Sequence, residues 1–293
     1  MVQRIEEIPR PPTRPVDGHK GTFGRVLIVA GSRGMSGAAC LSGVAALRGG
    51  AGLVFLAVPE GILSVVAGYE PSYLTIPLPE DTDGRIKEQA KELLASHAES
   101  ADAIACGPGL GQSEELASLV RWLYTSVPKF LVLDADALNL LAKTPEILKQ
   151  QPQAETGNIP RILTPHPGEF SRLTGRSIQE IQKDRESIAC EFAQTHGVVL
   201  VLKGPNTIIT DGERLADNTT GNSGLATGGS GDVLTGLIAA VLGQGMPAFD
   251  AAHFAVHLHG LAADLAAEEL SEAGMISSDL PKYVARAWKK LGG

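Results

Sequence analysis

Apolar residues in this chain fall in short unbroken runs rather than in strict alternation. RVLIVAG, from Arg25, is a β-branched run closed by glycine, and SGAACLSGVAALRGGAG behind it is rich in small, helix-tolerant residues, which predicts a strand, a loop and a helix in that order. LVFLAVPE supplies the next strand. DAIACG, FLVLDAD, RILTPH and VVLVLKG repeat the theme, each an apolar run ending in polar residues or glycine and each followed by a helix-like segment. Strands that are apolar on both faces and alternate with helices belong to a mostly parallel sheet covered on both sides. NTIITDGERLADNT departs from that pattern, because two short runs around Asp211-Gly212 predict an antiparallel hairpin at the sheet edge. Helices are expected from Asp232 to Leu242, from Asp250 to Glu269 and after Ser278. Residues 1–16, proline-rich and of mixed charge, read as an irregular arm. No linker interrupts 17–293, which reads as one α/β domain.

Composition narrows the class without changing this picture. A chain of 293 residues with 43 % hydrophobic and 20 % charged residues is globular, and at that length it buries about 73 % of its unfolded surface. The longest apolar runs fall well short of a spanning helix, and the first residues lack the apolar stretch of a signal peptide, so a soluble cytoplasmic protein is expected. A net charge of -8 argues against a nucleic-acid or anionic-membrane surface. Cys40, Cys106 and Cys190 are too widely spaced for a disulfide framework or a metal site and read as buried small hydrophobes. Glycine, at 34 residues, is in clear excess over the usual ~7 %. Its clusters point to loops that approach a ligand closely.

In open α/β sheets ligands sit beyond the carboxyl ends of the strands, and the distinctive motifs fall there. GNSGLATGGSGDVLTGLIAAVLG (221–243) runs a glycine-dense loop into an apolar helix, so that free amides and the positive end of the helix dipole make an anion site. Asp232 at the helix start reads either as an N-cap or as a general base on a hydroxyl beside bound phosphate. VLKGPNT (201–207) places Lys203 at a strand end, to hold a nucleotide phosphate or ribose or to stand solvated at a turn. ILTPHPGEF (162–170) holds His166 between two prolines that keep it out of helix, with Glu169 close behind, which suits either a cleft or a structural role. GPGLGQ (107–112) is a ligand-admitting loop or a plain tight turn. LDADALN (133–139) offers Asp134 and Asp136 to magnesium or its water shell, or as a helix-capping pair. The glycines at 31, 34 and 37 do not make G-x-G-x-x-G, and the absence of Gly-Lys excludes a Walker A loop. His253, His257 and His259 lack a third partner at zinc spacing and read as core or interface packing.

GPGLG, LDADALN, LTPHPGEF, LKGPNT and GNSGLATGGSGDVLTG, in this order from HKGTFGRVLIVAGS onward, resemble the ADP/ATP-dependent NAD(P)H-hydrate dehydratases of the ribokinase-like superfamily. That resemblance implies a ribokinase-like three-layer sandwich and a lyase that repairs NADH or NADPH hydrated on the nicotinamide ring. The hydrate's hydroxyl is phosphorylated by ADP and the phosphate is eliminated, leaving AMP and restored cofactor. By position, Asp232 matches the carboxylate that activates the hydroxyl. Lys203, Gly204, Pro205, Asn206, Thr207 and Gly231 match the adenine-nucleotide site. Ala38, Gly109, His166 and Asp232 match contacts to the hydrated dinucleotide. Magnesium is implied with the nucleotide, its ligands unassigned, and ADP is implied as co-substrate with ATP an alternative. Homotetramers are common in the family, with the helix near residue 255 a candidate contact. Many bacterial relatives carry an amino-terminal epimerase domain, so a separate epimerase is expected here. The alternatives are an alcohol kinase of the same superfamily, acting on a thiazole or pyrimidine, and a nucleotide-binding regulator without turnover.

Overall fold

The computed structural model describes residues 2–154 and 157–292. Twelve strands follow in chain order: β1 (Gln3–Arg4), β2 (Arg25–Val29), β3 (Leu53–Pro59), β4 (Leu74–Leu78), β5 (Ala103–Cys106) and β6 (Phe130–Leu133) come first. β7 (Gln153–Ala154), β8 (Gly157–Asn158), β9 (Arg161–Leu163), β10 (Val199–Leu202), β11 (Ile208–Thr210) and β12 (Arg214–Asp217) complete them. β7 and β8 pair only with each other; the other ten form one sheet in the order β1-β12-β11-β10-β9-β6-β5-β2-β3-β4. Within it only β11 runs against its neighbours. The expected hairpin is thus present as β11 and β12.

Two elements depart from the expectation. The arm is not wholly irregular, because β1 pairs in parallel with β12 and becomes the outermost strand, placing the hairpin one step in from the edge. At the other edge β4, read LTIPL, carries Pro77, which an edge strand tolerates because one side of its backbone needs no ladder partner. Its short, proline-interrupted pattern gives no strand signal of its own.

Among the described residues eleven α-helices cover the sheet: α1 (Ser36–Arg48), α2 (Leu63–Tyr69), α3 (Ala90–Ser100), α4 (Glu114–Ser126), α5 (Asp136–Leu141) and α6 (Pro167–Thr174) come first. The rest are α7 (Ile178–Lys183), α8 (Arg185–His196), α9 (Ser230–Gly243), α10 (Ala248–Leu270) and α11 (Leu280–Lys290). Alternation along each strand divides the core in two. Val26, Ile28, Ala103, Ala105, Val199 and Val201 face α1, α9, α10 and α11. Leu27, Val29, Ile104, Cys106, Leu200 and Leu202 face α3, α4, α5, α6 and α8. This is why the strands read as continuous apolar runs: both faces are buried. Gly236 lets α9 lie against α1, since a Cβ there would come within 2.1 Å of the Ser42 carbonyl oxygen. The three cysteines are free and buried, as read from their spacing. No helix among the described residues is long and apolar enough to cross a membrane.

Candidate functional site

The glycine-dense loop between β12 and α9 is tied down before it reaches the helix. Asp264 of α10 accepts the Gly221 amide at 2.9 Å and the Asn222 side-chain amide at 3.0 Å, and Thr220 donates to the His257 carbonyl. Gly229, at φ +93, turns the chain into α9 in a conformation that a side chain would resist. Gly229 is also the N-cap and supplies no side-chain cap, so Asp232 in the first turn is not the capping residue. The Ser230 amide reaches back to the Thr227 carbonyl at 3.4 Å, whereas the Gly231 and Asp232 amides have no intrahelical acceptor and lie at the positive end of the helix dipole. The Asp232 carboxylate makes no hydrogen bond or ion pair among the described residues. Burial, reinforced by nearby Asp134 and Asp136 and opposed by Lys203, pushes its pKa up to about 7. A carboxylate with that proton affinity is suited to general-base work at neutral pH.

In front of this turn lies a cavity of about 730 Å³. Lys203, Gly204, Pro205, Asn206, Thr207 and Gly231 all line it, together with His166. Six positions chosen from two separate motifs thereby share one wall, with Leu225, Leu234 and Val256 supplying an apolar side. Asn206, at φ +52, takes a left-handed turn that asparagine tolerates.

Lys203 is not a solvated turn lysine. Its ammonium lies 2.7 Å from Asp134 Oδ1 and 3.9 Å from Glu169 Oε2. Burial lowers its pKa, but these carboxylates outweigh burial and hold it above the ordinary lysine value. Asp134, 1 % exposed, also accepts Thr235 Oγ1 at 2.9 Å from the second turn of α9. Glu169 is buried, accepts the His166 amide at 2.8 Å, and burial raises its pKa. His166 is the N-cap of α6 in a reciprocal capping box with Glu169. Its Nδ1 accepts the Gly168 and Glu169 amides, so the ring's proton sits on Nε2, 3.3 Å from Glu169 Oε1. Burial, reinforced by the nearby Lys203 charge, lowers the histidine's pKa. The structural and cleft readings of His166 are therefore compatible, since it caps a helix and lines the cavity.

Ala38 and Gly109 do not line this cavity. They meet at the carboxyl ends of β2 and β5, where the strand order turns back, which is where an open α/β sheet leaves a crevice. A Cβ on Gly109 would lie 2.9 Å from the Ala38 Cβ, and Ser32 Oγ donates to the Gly109 carbonyl at 2.8 Å. Asp136 accepts the Gly111 amide at 2.8 Å and so pins the same loop. Asp136 and Asp134 are thus both engaged within the chain rather than set out as a metal pair. No group of three or more His, Cys, Asp or Glu side chains among the described residues is placed to hold a metal ion. His253 and His259 are buried in α10, and burial pushes His259 down to about 4. α10 itself is a core helix, with Ala251, Ala252, Ala255, Ala262 and Ala263 fully buried, so it offers no free contact face along that stripe.

Sequence reasoning left Asp134 and Glu169 with open roles and did not reach Thr235. Asp134 and Glu169 stood in motifs already singled out. Thr235 is one hydroxyl inside an apolar helix, with no local signal.

Comparison with known proteins places the chain in a family. A family model described as NAD(P)H-hydrate dehydratase matches residues 26–286. The bifunctional NAD(P)H-hydrate repair enzyme Nnr of Moorella thermoacetica is 42 % identical over 96 % of this chain and 52 % of its own length. The chain thus spans about half the length of that relative. The ADP-dependent (S)-NAD(P)H-hydrate dehydratase of Neisseria meningitidis serogroup B is 37 % identical, over 91 % of this chain and 86 % of its own. A crystal structure of the ADP/ATP-dependent NAD(P)H-hydrate dehydratase of Bacillus subtilis, co-crystallised with ATP and Mg2+, superimposes with a TM-score of 0.79 at 33 % identity. It covers 96 % of this chain and 95 % of that one.

Proposed function

The chain belongs to the NAD(P)H-hydrate dehydratase family, and from that premise we propose that it dehydrates the S-epimer of hydrated NADH or NADPH at the expense of ADP. The products are NADH or NADPH, AMP, phosphate and a proton. Water is a poor leaving group from the hydrated ring. Transfer of the terminal phosphoryl of ADP to the hydroxyl converts it into a good one, and the hydroxyl oxygen then departs in the phosphate.

The observation that carries this reading is Asp232: a carboxylate without a partner among the described residues in the first turn of α9, pushed up to about 7, beside the Gly231 amide at the helix start. In this role Asp232 takes the hydroxyl proton as the oxygen attacks phosphorus. Gly231 and its neighbouring amides hold the transferred phosphoryl. Lys203 through Thr207 and Gly231 take the nucleotide in the cavity they line. Ala38, Gly109 and His166 contact the hydrated dinucleotide, entering from the crevice at β2 and β5. No group of three or more His, Cys, Asp or Glu side chains among the described residues would cage a magnesium ion, so it would be held chiefly through the nucleotide, where it would supply charge neutralisation to the transferring group.

The R-epimer reaches such a site only after epimerisation at another active site. A cytoplasmic homotetramer is the assembly that the family resemblance supports, and sedimentation of the purified chain tests it. The decisive experiment is absorbance at 340 nm with magnesium, hydrated NADH and either ADP or ATP. A rise that needs ADP and is lost in Asp232→Asn is expected. No rise with either nucleotide from folded protein overturns the reading in favour of an alcohol kinase, and a screen of hydroxyl acceptors follows.

A further inference from the structure

Asp134 follows directly on β6 and has no part in the chemistry above, yet both its oxygens are committed. Oδ1 holds the Lys203 ammonium from the end of β10 at 2.7 Å, and Oδ2 takes the Thr235 hydroxyl from α9 at 2.9 Å. The next residue, Ala135, adopts φ 50 and ψ -118, a conformation that an L-residue holds only when its surroundings impose it. That turn sends the two flanking carboxylates to different places: Asp134 beneath α9, and Asp136 to the Gly111 amide.

The ion pair lies directly against the glycine turn. A Cβ on Gly231 would stand 3.3 Å from Lys203 Nζ and 3.4 Å from Asp134 Oδ2. Lysine is a point charge on a flexible stem and goes where its counter-charge is. Two carboxylates compete for this one, Asp134 at 2.7 Å and Glu169 at 3.9 Å, and the shorter contact sets the ammonium's place. Thr235 in turn sets the plane of the Asp134 carboxylate, because its hydroxyl is fully buried on a helix that cannot follow a swing of the side chain.

We propose that Asp134 is a positioning residue for phosphoryl transfer: it draws the Lys203 ammonium under Gly231, where negative charge develops on the transferring group, and away from Glu169. The inference rests on the function proposed above. It predicts an unusual separation of binding from rate. Without Asp134 the ammonium is no longer restrained by its carboxylate, so it grips ground-state phosphate at least as well while missing the transition-state position.

The test uses the full chain with Asp134→Asn and Thr235→Val, reading ADP affinity by calorimetry without hydrate, single-turnover rate at 340 nm, and thermal midpoint. For Asp134→Asn the expected result is a rate loss of about 100-fold with ADP affinity unchanged or tighter. Thr235→Val keeps the ion pair and the core volume, and is expected to lose rate in the same direction by less, again without loss of ADP affinity; it carries the test if Asp134→Asn does not fold. A rate within about twofold of wild type in both variants overturns the proposal. So does a parallel fall of rate, ADP affinity and thermal midpoint, which is what a purely structural carboxylate gives. If the wild-type chain shows no 340 nm rise, the functional reading fails by itself, and weakened ADP binding in Asp134→Asn then overturns this proposal separately.

Discussion

Arg161 and Lys203 are cations at opposite ends of two neighbouring parallel strands, the first fully buried and the second partly so. Arg161 opens β9 and is fully buried. Its guanidinium donates only to carbonyls: Tyr124 at 2.7 Å, Val127 at 2.8 Å, Lys129 at 2.5 Å and Leu123 at 3.3 Å. It closes the carbonyl end of α4, where the helix dipole is negative. Lys203 follows β10 and is held by the carboxylates of Asp134 and Glu169. One charge is matched by dipoles that have no other use, while the other is matched by side chains gathered beside a cavity and an empty helix turn. The amino end of the sheet has therefore spent its polar groups on stability. The carboxyl end retains unpaired capacity, of which Asp232 is the clearest instance, and that is the condition for binding and turnover.

The largest expected effect falls on that unpaired group. Asp232→Asn keeps the shape and removes the base, so turnover drops by about 10³-fold or more while calorimetry still finds ADP binding; equal losses of rate and affinity would remove Asp232 from the base role. Next comes the pair Lys203→Met and Arg161→Met. Lys203→Met is expected to lower kcat/KM by about 10²-fold, as loss of one charged donor at a transition state does. Arg161→Met leaves several buried carbonyls unpaired, costs about 3 kcal/mol, and lowers the thermal midpoint by roughly 6 to 12 °C, with turnover per folded molecule unchanged at 25 °C. If Arg161→Met loses turnover and Lys203→Met only stability, the contrast between the two ends is wrong.

The pH dependence sharpens the same comparison. A base pushed up to about 7 must be ionised to act, so kcat/KM falls about tenfold per pH unit below 7. The stability sign is opposite. Asp232 releases its proton less readily in the fold than in the unfolded chain, so its contribution to stability falls as pH rises from its unfolded value near 4 through 7. Asp232→Asn is therefore expected to gain in thermal midpoint over wild type at pH 8 relative to pH 5. Arg161, lowered to about 10 by burial, stays protonated over that range and adds no limb to either profile.

Much of this was legible in the chain itself. Continuous apolar runs located β2, β3, β5, β6, β9 and β10 because those strands are covered on both faces, and the Asp211-Gly212 turn located the hairpin. The glycine-dense loop running into α9 marked the candidate anion site, since its composition and its position before a helix are local facts. β4 and β1 were not legible, because each is short, at an edge, and stabilised by pairing rather than by its own pattern. The same limit governs the site. Lys203 lies 69 positions from Asp134 and Thr235 lies 101 positions from it. Only the closing of a parallel sheet brings such residues to one point, so the carboxylate partner that takes Lys203 out of the solvated alternative could not be read from its own motif.

The smallest expected effect comes from the reciprocal exchange, and it tests whether the two ends differ in kind or only in partner. Arg161→Lys keeps the charge at the amino end but replaces a planar fork with one nitrogen. A single ammonium cannot meet the Tyr124, Val127 and Lys129 carbonyls together, because the fork reaches them from two different terminal nitrogens. One or two bonds are lost, at about 1 to 2 kcal/mol, and the midpoint falls by roughly 2 to 8 °C. Turnover should not change, since nothing at that end approaches the cavity. Lys203→Arg should behave inversely, because a planar guanidinium spreads over a fork the charge that the compact ammonium holds at one point, 2.7 Å from Asp134 Oδ1: rate falls while the charge, and most of the stability, is kept. A loss of turnover in Arg161→Lys, measured on fully folded protein, would mean that β9 and β6 transmit the state of one end to the other, and that the amino end is part of the machine rather than its support.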